Sequence, residues 1–262
     1  MSRTTTFREL HLKTSPILIL PNAWDAGSAR LVESLGAKAV ATTSAGVAWS
    51  KGYPDDNAMP PQLQLQLAEE IVRAVQIPVT IDFEAGYSDD PATVAENLKP
   101  LIAAGISGIN LEDGASSPDL LARKIEAIKK SGADVFINAR TDVYLRGLAT
   151  EKVRETLSRA KTYQSAGTDG LFVPGLTGPQ EIQEIVSGTP LPVNVLSFPN
   201  LPNAAELEKL GIRRLSAGSA IAQIAYQHTA QLAAAFLSNG ESAPLSKDSK
   251  PYSEFQELFS RR

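Results

Sequence analysis

Short apolar runs recur along the chain, separated by longer stretches in which apolar positions return every three to four residues. Eight of the runs read as strands: Ile17–Leu20, Ala39–Thr42, Val79–Phe83, Gly108–Leu111, Val135–Asn138, Gly170–Val173, Val193–Leu196 and Arg213–Ser216. Most are continuously apolar rather than alternating, the pattern of parallel strands covered on both faces. The stretches between them read as helices. Gln62–Val75 carries Leu63, Leu67, Ile71 and Val75 at four-residue spacing, which makes one apolar stripe. Asp90-Pro91 supplies a cap and a first-turn proline for a helix that runs to Ala104 and stops at Gly105. Asp25–Leu35, Leu120–Lys130, Thr150–Ala166, Pro179–Ile185 and Ala204–Leu210 follow the same grammar. Eight strand–helix units in 262 residues predict an α/β fold, a (β/α)8 TIM-type barrel forming one domain over residues 1–262. A doubly wound open sheet is the alternative. Ser219–Leu237 predicts a longer last helix, and the tail beyond it carries Tyr252, Phe255 and Phe259. That tail region, about 219–262, either packs on its own barrel or contributes a helix exchanged between subunits.

Three successive strands end in polar groups. In Thr80-Ile81-Asp82-Phe83-Glu84-Ala85-Gly86-Tyr87 two carboxylates stand at i and i+2, on one face of a strand. Such a pair repels unless a positive charge lies between, and hard oxygen ligands suit Mg²⁺ or Mn²⁺. Gly108-Ile109-Asn110-Leu111-Glu112-Asp113-Gly114 ends in acids, and Val135-Phe136-Ile137-Asn138-Ala139-Arg140-Thr141-Asp142 in an arginine and an acid. Barrel active sites lie at the C-terminal ends of the strands, where these groups fall. Alternation places Asn110 on the same face as Glu112. A structural salt bridge to Asp142 or Glu112 is the competing reading for Arg140. Asp113 is expected to cap the next turn, and Lys124 to face solvent from inside a helix. The polar stretch from Ser44 to Asn57 is a long loop on the active-site side. Trp24, just after the first strand, either lines the pocket or belongs to the core.

Charge and composition narrow the classes. Net charge is −4 with both signs interspersed, so neither a nucleic-acid stripe nor a polybasic membrane patch is present. The absence of cysteine excludes disulfides, thiolate zinc sites and a cysteine nucleophile. Met1–Glu9 lacks the apolar core of a signal peptide, and Gln223, Gln227, His228 and Gln231 interrupt the most apolar window. These features predict a soluble, cytoplasmic protein with no nucleic-acid or membrane partner. No lysine ends a strand, which disfavours a Schiff-base aldolase. His11 and His228 lie outside every motif.

The phrases Pro21-Asn22-Ala23-Trp24-Asp25-Ala26-Gly27-Ser28-Ala29-Arg30, Ser44-Ala45-Gly46 with Gly52-Tyr53-Pro54-Asp55, Asp82-Phe83-Glu84-Ala85-Gly86-Tyr87, Gly108–Asp113 and Asn138–Asp142 resemble the isocitrate lyase / phosphoenolpyruvate mutase superfamily, over roughly residues 15 to 220. The resemblance implies a Mg²⁺-dependent enzyme acting on 2-oxo or 2-hydroxy acids through an enolpyruvate-like oxyanion. It places Asp82, Glu84 and Glu112 as metal ligands, some through water, with Asp55 reaching the same shell. The Ala45 and Gly46 amides, beside Ser44, would grip the substrate carboxylate, Trp24 would line the pocket, and Arg140 would pair with substrate and its developing oxyanion. The partner is a small-molecule carboxylate, and the long last helix suggests a homodimer or homotetramer.

The chain departs from that superfamily in one loop. The lyase branch carries a Lys-Cys-Gly-His gating motif where Gly114-Ala115-Ser116-Ser117-Pro118-Asp119 runs straight into a helix. The mutase-type lysine and asparagine are missing there too, and Glu84 replaces an aspartate. The expected activity is a lyase or hydrolase with C–C cleavage favoured and oxaloacetate-type or substituted malate-type substrates leading. The alternatives are P–C chemistry (phosphonopyruvate hydrolase or phosphoenolpyruvate mutase), in which Lys51, Arg123 and Lys124 would have to serve the phosphoryl group, and a non-catalytic 2-oxo acid binding protein.

Overall fold

Pro21 divides the first barrel strand into two pieces, and the division closes the sheet. The computed structural model describes residues 1–12, 14–55, 58–247 and 249–260. Its strands are β1 (Leu18–Leu20), β2 (Asn22–Ala23), β3 (Val40–Thr42), β4 (Val79–Asp82), β5 (Gly108–Glu112), β6 (Phe136–Arg140), β7 (Gly170–Phe172), β8 (Val193–Leu196) and β9 (Arg214–Ser216). All neighbours are parallel, in the order β1-β9-β8-β7-β6-β5-β4-β3-β2. β1 pairs with β9 and β2 with β3. Proline has no N–H to give to a ladder, so one continuous segment changes partner at Pro21. Asn22 fastens the seam: its amide donates to the Thr42 carbonyl at 2.7 Å, and its Oδ1 accepts from the Gly218 N–H at 2.8 Å. The predicted eight-stranded α/β barrel is therefore the fold, with its first strand prolonged beyond Leu20 to Ala23.

The helices are α1 (Arg3–Glu9), α2 (Ala26–Ser34), α3 (Ser44–Ser50), α4 (Pro61–Ala74), α5 (Pro91–Ala103), α6 (Pro118–Lys130), α7 (Lys152–Ala166), α8 (Pro179–Gly188), α9 (Ala204–Lys209), α10 (Ala220–Asn239), α11 (Ala243–Ser246) and α12 (Tyr252–Ser260). The stretch expected as a loop from Ser44 thus opens as a helix, and its far end, Asp56-Asn57, lies outside the described residues.

Partners in parallel strands show their side chains on one face, and the register sorts the barrel into two layers. Asp82, Asn110, Asn138 and Gly170 align, as do Glu112, Arg140 and Phe172. These face the barrel interior. The residues between them, Ile81, Ile109, Leu111, Ile137, Ala139 and Leu171, are buried with Leu67, Ile71, Leu98, Ile125 and Tyr163 of the surrounding helices. The hydrophobic core is therefore the ring between sheet and helices. The lower end of the interior is plugged by α1 and the turn that follows it: Phe7 meets Phe136 edge-on at 5.4 Å, and His11, just beyond the helix, stacks on Phe136 at 4.2 Å. Burial, and then the charge of Arg214, push the His11 imidazole down to about 3, so it is a neutral packing group. Gly108 makes room for the plug, since a Cβ there would lie 2.7 Å from Phe7 Cε1.

α10 behaves differently from the other helices. Only Ala222 is buried along its 20 residues, while Ile224 is 70 % and Leu237 85 % exposed. α12 instead returns to its own barrel, where Arg30 Nε donates to the Leu258 carbonyl at 3.2 Å. No helix among the described residues is long and apolar enough to cross a membrane.

Gly108→Val is expected to lower stability by about 1–3 kcal/mol, the usual cost of overpacking, measured as a shift in the urea midpoint at constant slope. An unchanged midpoint would show that Phe7 does not fill the barrel floor.

Candidate active site

The site is built from the C-terminal ends of β4, β5 and β6 and the start of α3. Asp82 ends β4. Its N–H donates to Thr42 Oγ1 at 2.8 Å and its carbonyl accepts from Gln64 Nε2 at 2.8 Å, so its backbone is clamped from both sides. One carboxylate oxygen, Oδ2, lies 3.4 Å from the Ser44 N–H; the other, Oδ1, is buried with no hydrogen-bond partner. Burial raises the Asp82 carboxyl above the usual carboxylate range, with Arg140 pulling the other way.

Beyond Asp82 the chain turns through left-handed backbone. Glu84 (φ 49°) and Tyr87 (φ 59°) adopt it without being glycine, at a cost of about 1–3 kcal/mol each that surrounding contacts must offset. Those contacts are Lys124 Nζ to the Ala85 carbonyl at 2.9 Å, Asn97 Nδ2 to the Gly86 carbonyl at 3.2 Å, and the Tyr87 hydroxyl to Glu84 Oε1 at 2.8 Å. Lys124 is thus buried, 3 % exposed, and does not face solvent as expected. The phase of α6 turns it inward beside Leu121 and Ile125, and the turn's carbonyl supplies its partner.

Arg140 sits between two acids. Its Nη1 lies 2.6 Å from Glu112 Oε2, its Nε 2.7 Å from Asp142 Oδ1 and its Nη2 3.1 Å from Asp142 Oδ2. Burial works against the Arg140 charge, yet Glu112 and Asp142 outweigh it and raise the guanidinium further. Burial pushes Glu112 up to about 8, against the pull of Arg140. Asp142 is fully buried, and its N–H donates to Asp113 Oδ1 at 2.9 Å. Asp113 Oδ2 in turn accepts from Arg159 Nη1 at 2.8 Å and the Tyr163 hydroxyl at 2.5 Å. Asp113 therefore ties α7 to the strand carrying Arg140, and Ser117 caps α6 instead.

These groups border a cavity of about 130 Å³ at the upper end of the barrel. Asp55, Asp82, Asn110, Arg140, Ser44 and Ala45 line it, with Phe172 and Leu196 on its apolar side. Glu112 stands behind Arg140, and Glu84 is bonded to Tyr87. Trp24 and Gly46 lie outside the lining and pack against each other: a Cβ on Gly46 would come within 3.1 Å of Trp24 Cβ. Larger clefts open elsewhere, including one of about 230 Å³ between α4 and α5 and one of about 400 Å³ where Arg30 and Glu33 of α2 face Glu254 and Glu257 of α12, but in none of them do acids from the C-terminal ends of the strands meet an arginine. Among the described residues no three acid, histidine or cysteine side chains form a ready set of metal ligands. The orphaned Asp82 Oδ1 nevertheless suits a cation held by one or two carboxylates and completed by water, as Mg²⁺ commonly is.

Fold and cavity together match the arrangement of barrel enzymes, whose active sites lie at the C-terminal ends of the strands. The family model for phosphoenolpyruvate phosphomutase matches residues 7–237. The chain belongs to that family, within the isocitrate lyase / phosphoenolpyruvate mutase superfamily. It is 40 % identical over 256 residues to an uncharacterized protein of Mycobacterium tuberculosis, covering 96 % of this chain and 95 % of that one. The 2,3-dimethylmalate lyase of Eubacterium barkeri is 28 % identical, with 99 % and 94 % covered. Among solved structures, a protein of Burkholderia cenocepacia described as a candidate phosphonomutase superposes with a TM-score of 0.82 at 42 % identity, covering 88 % of this chain and 98 % of that one.

Asp113→Ala removes one partner of a buried pair with Arg159 and is expected to cost about 3–5 kcal/mol, read from denaturant unfolding. A loss under 1 kcal/mol, the range of exposed pairs, would show that Asp113 is not the anchor of this network.

Proposed function

We propose that the chain is a Mg²⁺-dependent carbon–carbon lyase, with Mn²⁺ able to replace Mg²⁺, acting on a small 2-oxo or 2-hydroxy carboxylic acid through a pyruvate-enolate-like oxyanion. The observation that carries this reading is the unpartnered Asp82 Oδ1 in a cavity that Arg140 also lines. Asp82 would hold the ion directly; Glu84, Glu112 and Asp55 would act through water. The ion supplies Lewis acidity, withdrawing charge from the substrate's carboxylate and oxo oxygens. Arg140 has five N–H donors, and three face Glu112 and Asp142. The remaining two are held in fixed orientation for the oxygen on which charge develops as the bond to C3 breaks. The Ala45 N–H, in the first turn of α3 where no helical acceptor exists, would receive the substrate carboxylate beside the Ser44 N–H, which faces Asp82 Oδ2 at 3.4 Å. Phe172 and Leu196 restrict water on the other side.

Carbon–carbon cleavage is favoured over P–C chemistry because a migrating phosphoryl group needs cationic partners. Lys51 and Arg123 are absent from the cavity lining, and Lys124 is committed to the Ala85 carbonyl. Calorimetric titration with oxalate, a planar mimic of the pyruvate enolate, is expected to show binding that requires Mg²⁺ and is abolished in Asp82→Asn. Arg140→Ala should lower kcat on the best 2-oxo acid substrate by about 10²–10³-fold. Oxalate binding that ignores Mg²⁺ would refute the metal assignment. Mg²⁺-dependent binding with no turnover of any 2-oxo or 2-hydroxy acid would favour the binding-protein reading.

The same proposal includes a homo-oligomer, a dimer or tetramer in which a second copy covers α10. Its exposed Ile224, Tyr226, Phe236 and Leu237 form an apolar surface of the sort that marks an interaction site. Light scattering should give a multiple of 27.9 kDa, and Ile224→Glu with Leu237→Glu should reduce it to that value. A monomeric parent protein would refute the assembly.

A further inference from the structure

Arg140 is the one cationic side chain among the described cavity-lining residues, and three of its five donors are engaged by acids. It can serve the oxygen at C2, but a second anionic group on the substrate would find no cation within the cavity. One stands beside Arg140, just outside the lining. Arg146 lies in the connection between β6 and α7, and its Nε is 2.9 Å from Asp142 Oδ2. That same oxygen accepts from Arg140 Nη2 at 3.1 Å. A single buried carboxylate oxygen therefore fixes both guanidinium groups side by side.

The segment carrying Arg146 is held in place by its own contacts. The Arg146 N–H donates to the Asp142 carbonyl at 2.8 Å and the Leu148 N–H to the Val143 carbonyl at 3.1 Å. Gly175 lets the following strand's turn approach closely, since a Cβ there would lie 3.2 Å from the Leu145 backbone nitrogen. The side chain of Asp142 is 0 % exposed and that of Arg146 44 %. The Arg146 guanidinium thus reaches from the buried acid to open solvent, with its two terminal nitrogens engaged by none of the described residues. Asp142 and Glu112 both stabilise its charge, and Arg140 opposes it, which places it within the site's field.

We infer that Arg146 is a specificity-determining residue that receives a carboxylate on the part of the substrate remote from C2. Its Nε anchored on Asp142 leaves the terminal nitrogens as a fork for two carboxylate oxygens, the geometry in which arginine pairs most strongly. This inference rests on the proposed function, and its test separates the two. Oxalate reports on the metal and Arg140 region alone. Malate and 2-hydroxybutyrate differ at the far end, where one carries a carboxylate and the other a methyl group.

Calorimetry with Mg²⁺ would compare the parent enzyme, Arg146→Gln and Arg146→Lys on these three ligands. The parent should prefer malate to 2-hydroxybutyrate. Arg146→Gln should weaken malate by about 10- to 100-fold, the range for a lost charge-assisted pair, and leave oxalate and 2-hydroxybutyrate nearly unchanged. Arg146→Lys should recover part of the loss. A parent with no preference for malate, or a glutamine variant that binds malate normally, overturns the inference. So does an equal loss for oxalate, which would mean that Arg146 merely braces Asp142 and Arg140. Failure of the parent to bind oxalate refutes the proposed function itself, while the malate preference still judges Arg146.

Discussion

Glu112 and Arg140 are register partners across β5 and β6, and their side chains meet at 2.6 Å. Side chains alternate along a strand, so a slip of one residue would turn Leu111 and Ala139 into the barrel and drive the acid and the arginine into the helix layer. What prevents the slip is apolar. Ile109, Leu111, Ile137 and Ala139 are all at or near zero exposure beneath the helices, and Gly108 admits Phe7 at the floor where another residue would collide. The charged layer is held in register by the hydrophobic layer outside it. Asp82 and Asn110 inherit the same arrangement because β4 pairs with β5 in line with them.

A barrel interior holding this many acids needs compensating charge. Arg140 lies within the acid layer, and Arg214 lies below it, fully buried with its Nη2 3.4 Å from Asn110 Oδ1. Burial pulls the Arg214 guanidinium down to about 9, with Asp82 opposing, so it stays protonated at neutral pH. A buried cation without a carboxylate in contact costs several kcal/mol. Its field partly offsets that cost by favouring the ionised Asp82 above it. Asn110 Oδ1 also accepts from Asn138 Nδ2 at 2.9 Å. Two donors on one oxygen fix the amide and leave its nitrogen uncommitted at the cavity.

Strands and surrounding helices were legible in the sequence because both depend on local periodicity, and the clustering of Asp82, Asn110 and Arg140 at one end follows from strand direction alone. Partners far apart in sequence were not legible. Asp113 looked like a local cap, but its partners Arg159 and Tyr163 lie 46 and 50 residues away. Lys124 looked solvent-facing because a lysine in a polar helix usually is. Only the fold shows the Ala85 carbonyl that receives its ammonium group. The division of the first strand had a visible signal in Pro21, a residue that cannot donate to a ladder. The apolar pattern alone placed the end of that strand at Leu20. Arg146 carried no signal beyond its charge, since its meaning depends on sharing Asp142 with Arg140.

The exposed helix is not independent of the cavity. Ala222, the one buried residue of α10, sits where a Cβ on Gly46 would come within 3.1 Å of it, and Tyr226 meets Trp49 edge-on at 6.3 Å. Gly46 and Trp49 both belong to α3, whose first residues, Ser44 and Ala45, line the cavity. A rigid helix of two turns transmits a displacement at one end to the other, because packed side chains have few alternative arrangements. Whatever fixes α10 therefore also fixes the amides at the start of α3. Trp24 and Gly46 accordingly matter through packing: they form the seat on which α10 and α3 meet, one layer behind the groups that face the cavity.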